Sequence, residues 1–195
     1  MPHLKFDPAK LEKLNDLGRL ETLRPDAMWV AFGLEDPEVL VEIGAGTGMF
    51  ASEFGKRAER ATTYAADTSE EMLAWMRKHR PEVAEGRVVP VSSEETSVPL
   101  SDGIADGVFM INLHHELADP AAIYSEAFRL LRPGGRVLLV DWAPIDTPKG
   151  PPAGVRAAPD VLEGFLRKAG FSDISVHAVL SWHSVVTGTR PEARR

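Results

Sequence analysis

The chain contains no cysteine. That absence excludes disulfides, cysteine-ligated zinc, iron–sulfur clusters and a thiolate nucleophile, and it fits a reducing cytoplasm. Long apolar runs are missing too. Nothing approaches the roughly 18 residues a membrane-spanning helix needs, and the segment from Met1 to Lys10 has no signal-peptide core. Basic residues are in deficit, 22 Lys and Arg against 29 Asp and Glu, for a formal net charge of −7. This argues against broad, non-specific binding to nucleic acid. Internal repeats, low-complexity segments and a dividing linker do not occur. What remains is 195 residues, 44% apolar and 26% charged, ordinary globular proportions. A chain of this length can bury roughly 70% of its unfolded surface as one domain.

Residues 1–36 read as helical. Asp7-Pro8 looks like an N-cap with proline at the first helical position, and Leu11, Leu14 and Leu17 share a face before Gly18. A second short helix starts near Pro25, places Met28, Trp29 and Phe32 at helical spacing, and stops at Gly33. From there apolar strand runs alternate with helical stretches, the pattern of βαβ units on a parallel sheet. Val39 to Ile43 is the first strand, and Ala61 to Ala66, Arg87 to Val91, Gly107 to Asn112 and Arg136 to Asp141 are the next four. Between them run a helix with Phe50 and Phe54 inward, one opened by a Thr68–Glu71 capping box and burying Met72, Trp75 and Met76, and one started by Asp119-Pro120. Pro159 to Ala169 is a last helix, capped by Gly170. Ile174, Val176, Ala178 and Leu180 then alternate, and Trp182 to Thr187 follows almost at once. A parallel partner would need a crossover of about a dozen residues, so the last two strands must pair antiparallel. The expected fold is α/β: a doubly wound, seven-stranded, mostly parallel sheet with a C-terminal antiparallel hairpin strand.

The strongest local signal is Glu42-Ile43-Gly44-Ala45-Gly46-Thr47-Gly48. A strand that enters a helix through such a loop lets a ligand approach the backbone where any Cβ would clash. Asp67 stands at the expected end of strand two, where an acidic group hydrogen-bonds the two hydroxyls of a ribose. Together these point to a nucleoside-bearing cofactor at the carboxyl ends of the strands; a glycine-rich turn with an unrelated surface Asp is the plain alternative. The string Gly46-Thr47-Gly48-Met49-Phe50-Ala51 also satisfies GxGxxA, so an NAD(P)-binding Rossmann-type oxidoreductase is formally allowed. Three observations oppose it. Glu42 would repel a pyrophosphate but welcome a cationic amino group. The closing hairpin does not suit an all-parallel dinucleotide sheet, and no Ser/Tyr/Lys proton-relay set stands out.

Three motifs in order then resemble those of the class I S-adenosylmethionine-dependent methyltransferases, in the small-molecule, ubiquinone/menaquinone-biosynthesis-like branch. They are Val-Leu-Val-Glu-Ile-Gly-Ala-Gly-Thr-Gly (39–48), Ala-Ala-Asp-Thr-Ser-Glu-Glu-Met-Leu (65–73) and Leu-Arg-Pro-Gly-Gly-Arg-Val (131–137). Glu42 stands where the family more often has Asp. The resemblance runs from about Leu34 to Thr187 and implies a single methyltransferase domain over residues 1–195, with a helical cover (1–36) and an α/β core (37–190). It further implies S-adenosylmethionine as cofactor, S-adenosylhomocysteine as product and a small-molecule acceptor. Gly44, Ala45, Gly46 and Gly48 would carry the methionine-facing loop, and Glu42 would meet the amino group. Asp67 would hold the ribose, and Thr68 and Met72 would pack against the adenine. Glu94, with Glu95 beside it, would accept from the adenine amino group unless both are simply a solvated acidic loop. Asn112 and Leu113 would approach the methyl donor through their backbone.

Methyl transfer from a sulfonium is an in-line displacement, so the protein mainly aligns the nucleophile and excludes water. Where a base is needed, His114, His115 and Glu116 cluster after strand four as candidates; alternatively one His packs the loop and Glu116 faces water. His115-Glu116 begins an HExxH-like string, but position 119 is Asp, so no metal site is expected. Asp141-Trp142 ends strand five and lines the acceptor pocket or packs in the core. The segment from strand five to the last helix is too short for a helical lid, so residues 1–33, Phe6 among them, are the expected cover. A nucleoside-cofactor-binding protein without transferase activity is the other alternative, and the oligomeric state is left open.

Overall fold

The structure is a computed structural model, and it describes residues 11–192. The Asp7-Pro8 cap and the cover by Phe6 lie outside the described residues. Three short helices come first, α1 (Leu11–Leu14), α2 (Gly18–Leu23) and α3 (Pro25–Phe32). Gly18 therefore opens a helix instead of ending one. The Asp16 side chain accepts from the Gly18 N–H at 2.9 Å, and this local bond breaks the stretch that the leucine spacing suggested as one helix.

The α/β part then runs β1 (Val39–Ile43), α4 (Met49–Arg57), β2 (Thr62–Asp67), α5 (Glu70–His79), α6 (Pro81–Ala84), β3 (Val88–Ser92) and β4 (Ala105–Ile111). It continues with α7 (Pro120–Leu130), β5 (Leu131–Trp142), α8 (Pro159–Ala169), β6 (Ser172–Val176) and β7 (His183–Thr189). The seven strands lie in the order β3-β2-β1-β4-β5-β7-β6. The first five pair in parallel, and β7 runs antiparallel to both β5 and β6. The final hairpin is thus as expected, but its second strand inserts inside the sheet and leaves β6 at the edge. β6 is also shorter than the alternation suggested, with Ala178 and Leu180 in the connecting loop.

Strand alternation sorts the core into two layers. Val41, Ile43, Val108, Met110, Val137 and Leu139 meet α7 and α8 on one face. Leu40, Phe109, Ile111, Leu138 and Val140 meet α3 and α4 on the other. A smaller cluster of Ala51, Leu73, Met76 and Val88 seats α5 against β3. Leu73 takes the inward place there, while Trp75 stays half-exposed and stacks on His79 at 4.6 Å between ring centroids. The cap of α5 is Ser69, whose side chain accepts from the Met72 N–H at 3.3 Å; Thr68 stays in the loop before it. No helix among the described residues is long and apolar enough to cross a membrane.

The sheet order reverses between β1 and β4, so the loops leaving their carboxyl ends diverge. A crevice opens at that switch point, where doubly wound sheets bind ligands.

Candidate active site

A cavity of about 1000 Å³ fills this crevice. Its floor is the loop between β1 and α4, with Gly44 and Gly46 at φ +74° and +54°. A Cβ on Gly44 would lie 2.6 Å from a Leu113 methyl, so a side chain there would have to displace Leu113 as well as adopt a left-handed backbone that favours glycine. The Gly44 and Ala45 N–H groups both donate to Ala66 O, at 2.9 and 3.0 Å, which ties the loop to β2. Asp67, the last residue of β2, accepts from the Gly46 N–H at 2.7 Å and from the Ser69 N–H at 2.9 Å. Its carboxylate is the brace between loop and strand, and burial raises its pKa despite those bonds.

Glu42 lies beneath the loop, 2% exposed, with Oε2 lacking any hydrogen-bond partner among the described residues. Burial raises its pKa well above the ordinary carboxylate value, against the opposing pull of the Ala51 backbone and of Arg19. An uncompensated buried carboxyl oxygen costs stability. A ligand cation brought to it would remove that cost. Asn112, at φ +58°, also has a buried Oδ1 with no partner among the described residues.

The other expected residues fall around these. Thr68, Met72 and Leu113 line the wall beside Asp67 and the loop, and Glu94 and Glu95 stand exposed at the rim. Gly48 does not line the cavity. At φ +70° it is the N-cap of α4, and a Cβ there would meet Met76 at 2.9 Å; its part is local packing.

The structure separates the two histidines after β4. They start a 3-10 turn (His114–Glu116). His114 turns away from the cavity: its Nδ1 pairs with the Tyr124 hydroxyl at 2.9 Å, Phe165 packs on its ring, and burial lowers its pKa. His115 faces the cavity, with Nδ1 2.8 Å from Asp141 Oδ1 and Nε2 3.7 Å from Glu116 Oε1. Burial works against its imidazolium form, but the hydrogen bond and charge of Asp141 outweigh it, and its pKa is raised. Asp141 is buried and also accepts from its neighbour's backbone, the Trp142 N–H, at 2.7 Å.

Sequence reading placed Asp141 on the strand end but missed this pairing. The two residues meet because β4 and β5 are adjacent parallel strands, which brings their carboxyl ends together. Also unanticipated is His183, the Cα partner of Trp142 across the sheet. Its ring is 4.3 Å from that of Trp142, both ring nitrogens are buried without a partner among the described residues, and burial lowers its pKa to about 4. Leu14, Arg19 and Leu23 of the N-terminal helices line the cavity, as do Lys149, Gly150 and Pro151 of the loop after β5. Among the described residues no group of three or more acidic or histidine side chains is placed to hold a metal ion.

Comparison with known proteins agrees with this geometry. A family model described as a methyltransferase domain matches residues 41–139. The chain is 30% identical over 145 residues to the ubiquinone/menaquinone biosynthesis C-methyltransferase of Dinoroseobacter shibae, covering 72% of this chain and 57% of that protein. It is 31% identical over 142 residues to the demethylmenaquinone methyltransferase of Thermus thermophilus, covering 69% and 62%. The chain thus spans little more than half the length of these curated relatives. Among solved structures, a SAM-dependent methyltransferase from Aquifex aeolicus superposes with a TM-score of 0.88 at 29% identity, over 95% of this chain and 99% of that one. With the motif order, the sheet order and the family match in agreement, the chain belongs to the methyltransferase domain family of class I, S-adenosylmethionine-dependent enzymes.

Proposed function

We propose that this protein transfers a methyl group from S-adenosylmethionine to a small-molecule acceptor. The observation that carries the reading is the buried, unpartnered Glu42 oxygen beneath a glycine loop that Asp67 braces, all within one cavity. These residues fit the cofactor: an anion for its ammonium, an acceptor for its ribose hydroxyls, and a Cβ-free approach at Gly44 and Gly46. A pyrophosphate at the same place would meet the Glu42 carboxyl and gain nothing from it, which disfavours a dinucleotide.

S-adenosylmethionine, when bound, supplies an activated methyl group on a sulfonium. The chain's own residues then bind and orient. Glu42 holds the amino group and Asp67 the ribose, using lone pairs that the Gly46 and Ser69 N–H groups leave over. Thr68 and Met72 flank the adenine, Glu94 or Glu95 receives its amino group at the rim, and Asn112 and Leu113 border the reacting end. His115 is the base. Nδ1 donates to Asp141, which fixes the tautomer and leaves Nε2 to take the acceptor's proton, with Glu116 beside it. Asp141 is a positioning residue, and His114, committed to Tyr124, is left out.

Calorimetric titration with S-adenosylhomocysteine tests this reading. Binding in the micromolar range, lost in Asp67→Ala, is expected; tight NAD(P) binding with no response to S-adenosylhomocysteine would overturn it.

A further inference from the structure

The amino-acid end of the cofactor carries a carboxylate next to its ammonium, and Glu42 can serve only the ammonium. The cavity contains a cation suited to the other charge. Arg19, on α2, lines it, and its guanidinium lies 5.2 Å over the Phe50 ring. Nη1 donates to Leu14 O at 2.7 Å, and among the described residues the remaining guanidinium nitrogens make no hydrogen bond. Arg19 opposes, without outweighing, the rise that burial gives the Glu42 pKa.

Other cations are committed or badly placed. Arg80 also feels Glu42, but it donates to Thr47 O at 2.8 Å and to Asn15 Oδ1 at 2.7 Å, and it lies outside the cavity lining. Lys149 sits over the Trp182 ring. Lys13 is exposed at the mouth. The Arg80 bonds have a second effect: Asn15 Oδ1 also accepts from the Thr47 hydroxyl at 3.0 Å. Leu14 meanwhile covers Gly46, where a Cβ would stand 3.3 Å from its δ-methyl. Asn15, Thr47 and Arg80 thus clasp the strap of residues 11–24 onto the glycine loop, and Arg19 lies on that strap.

We propose that Arg19 recognises the carboxylate of the cofactor's amino-acid end and forms, with Glu42, a pair of opposite charges matched to a zwitterion. The proposal rests on the methyltransferase reading above. A guanidinium suits the role because its planar fork can donate two parallel bonds to one carboxylate. The pair selects nucleosides that carry an amino acid and rejects those that do not.

The test is calorimetric titration of wild type, Arg19→Gln, Arg19→Lys and Asn15→Ala with two ligands, S-adenosylhomocysteine and its analogue lacking the carboxyl group. Wild type should prefer the complete ligand by roughly 10- to 100-fold, the range expected for a charge-assisted hydrogen bond. In Arg19→Gln the preference should collapse to about threefold or less, and Arg19→Lys should restore part of it. Asn15→Ala, which loosens the clasp but keeps the charge, should weaken both ligands alike and leave the preference in place. An undiminished preference in Arg19→Gln, or a collapse of equal size in Asn15→Ala, would overturn the proposal alone. Failure of wild type to bind S-adenosylhomocysteine at all would overturn the methyltransferase reading and this proposal with it.

Discussion

Replacing Glu42 by Gln should move stability and binding in opposite directions. The carboxyl is 2% exposed, one oxygen has no partner among the described residues, and burial holds its pKa well above the ordinary range. In the free protein the folded state therefore keeps this proton longer than the unfolded chain does. Its contribution to stability is fully present below the unfolded pKa and is lost as pH rises toward the folded one. Gln does not titrate, so the ligand-free variant should unfold at the same or a higher temperature than wild type on the alkaline side of that window. Binding reverses the sign, because an ammonium beside Glu42 favours the ionised form. Below the raised pKa, S-adenosylhomocysteine must therefore displace a proton, and its affinity should climb by about tenfold per pH unit until that pKa is passed. The variant should lose this slope together with a charge-assisted bond of about 1.5–3 kcal/mol, a weakening of roughly 10- to 100-fold. Calorimetry from acidic to alkaline pH in two buffers of different ionisation enthalpy reads both the affinity and the released proton. A variant that binds as tightly as wild type with the same pH slope would refute the argument. So would one that loses stability and affinity together, because that result makes Glu42 merely structural.

Asp141→Asn should lower turnover by about 100-fold or more through loss of the tautomer that presents Nε2. Because Asp141 is what raises the His115 pKa, the rising limb of the pH–rate profile should also move to lower pH; an unmoved limb would remove His115 as the base. His183 makes a separate prediction for stability. Its pKa falls from the ordinary 6.5 to about 4, so the unfolded chain takes up a proton that the folded one refuses. Stability should then drop as pH falls through that interval, by up to about 3 kcal/mol. His183→Phe keeps a ring against Trp142 and should flatten this acid limb, as read by urea unfolding at neutral and acidic pH.

That the glycine loop and Asp67 meet in one cavity was legible because the signals are local. A glycine loop between an apolar run and a helix, and an acidic residue at the end of the next strand, each describe one turn of chain. The antiparallel ending could also be read, since connection length alone forbids the parallel alternative. Position within the sheet could not: β7 lies between β5 and β6 through pairing across the sheet, which no local pattern encodes. The His115–Asp141 pair escaped for the same reason, as the two residues stand 26 positions apart and meet only because their strands are neighbours. At the start of α5 the error was one residue. Thr68 and Ser69 both carry a hydroxyl, and only the extended backbone of Ser69, φ −93° and ψ 109°, decides which one caps the helix.

The insertion of β7 also bears on how the protein is made. β5 and β6 do not pair with each other; residues 183–189 lie between them and pair with both. The β6–β7 hairpin is local, but β5 meets β7 only through residues as far apart as Arg136 and Thr189, the kind of contact that slows folding and leaves a strand edge open to other chains until it forms. The glycine loop after β1 is held by β2 and faces Leu113 after β4, strands that pair with one another without β7. Trp142 is seated against His183, on that inserted strand. The wall at Trp142 therefore depends on a distant strand pairing that the glycine loop and its Asp67 brace do not need.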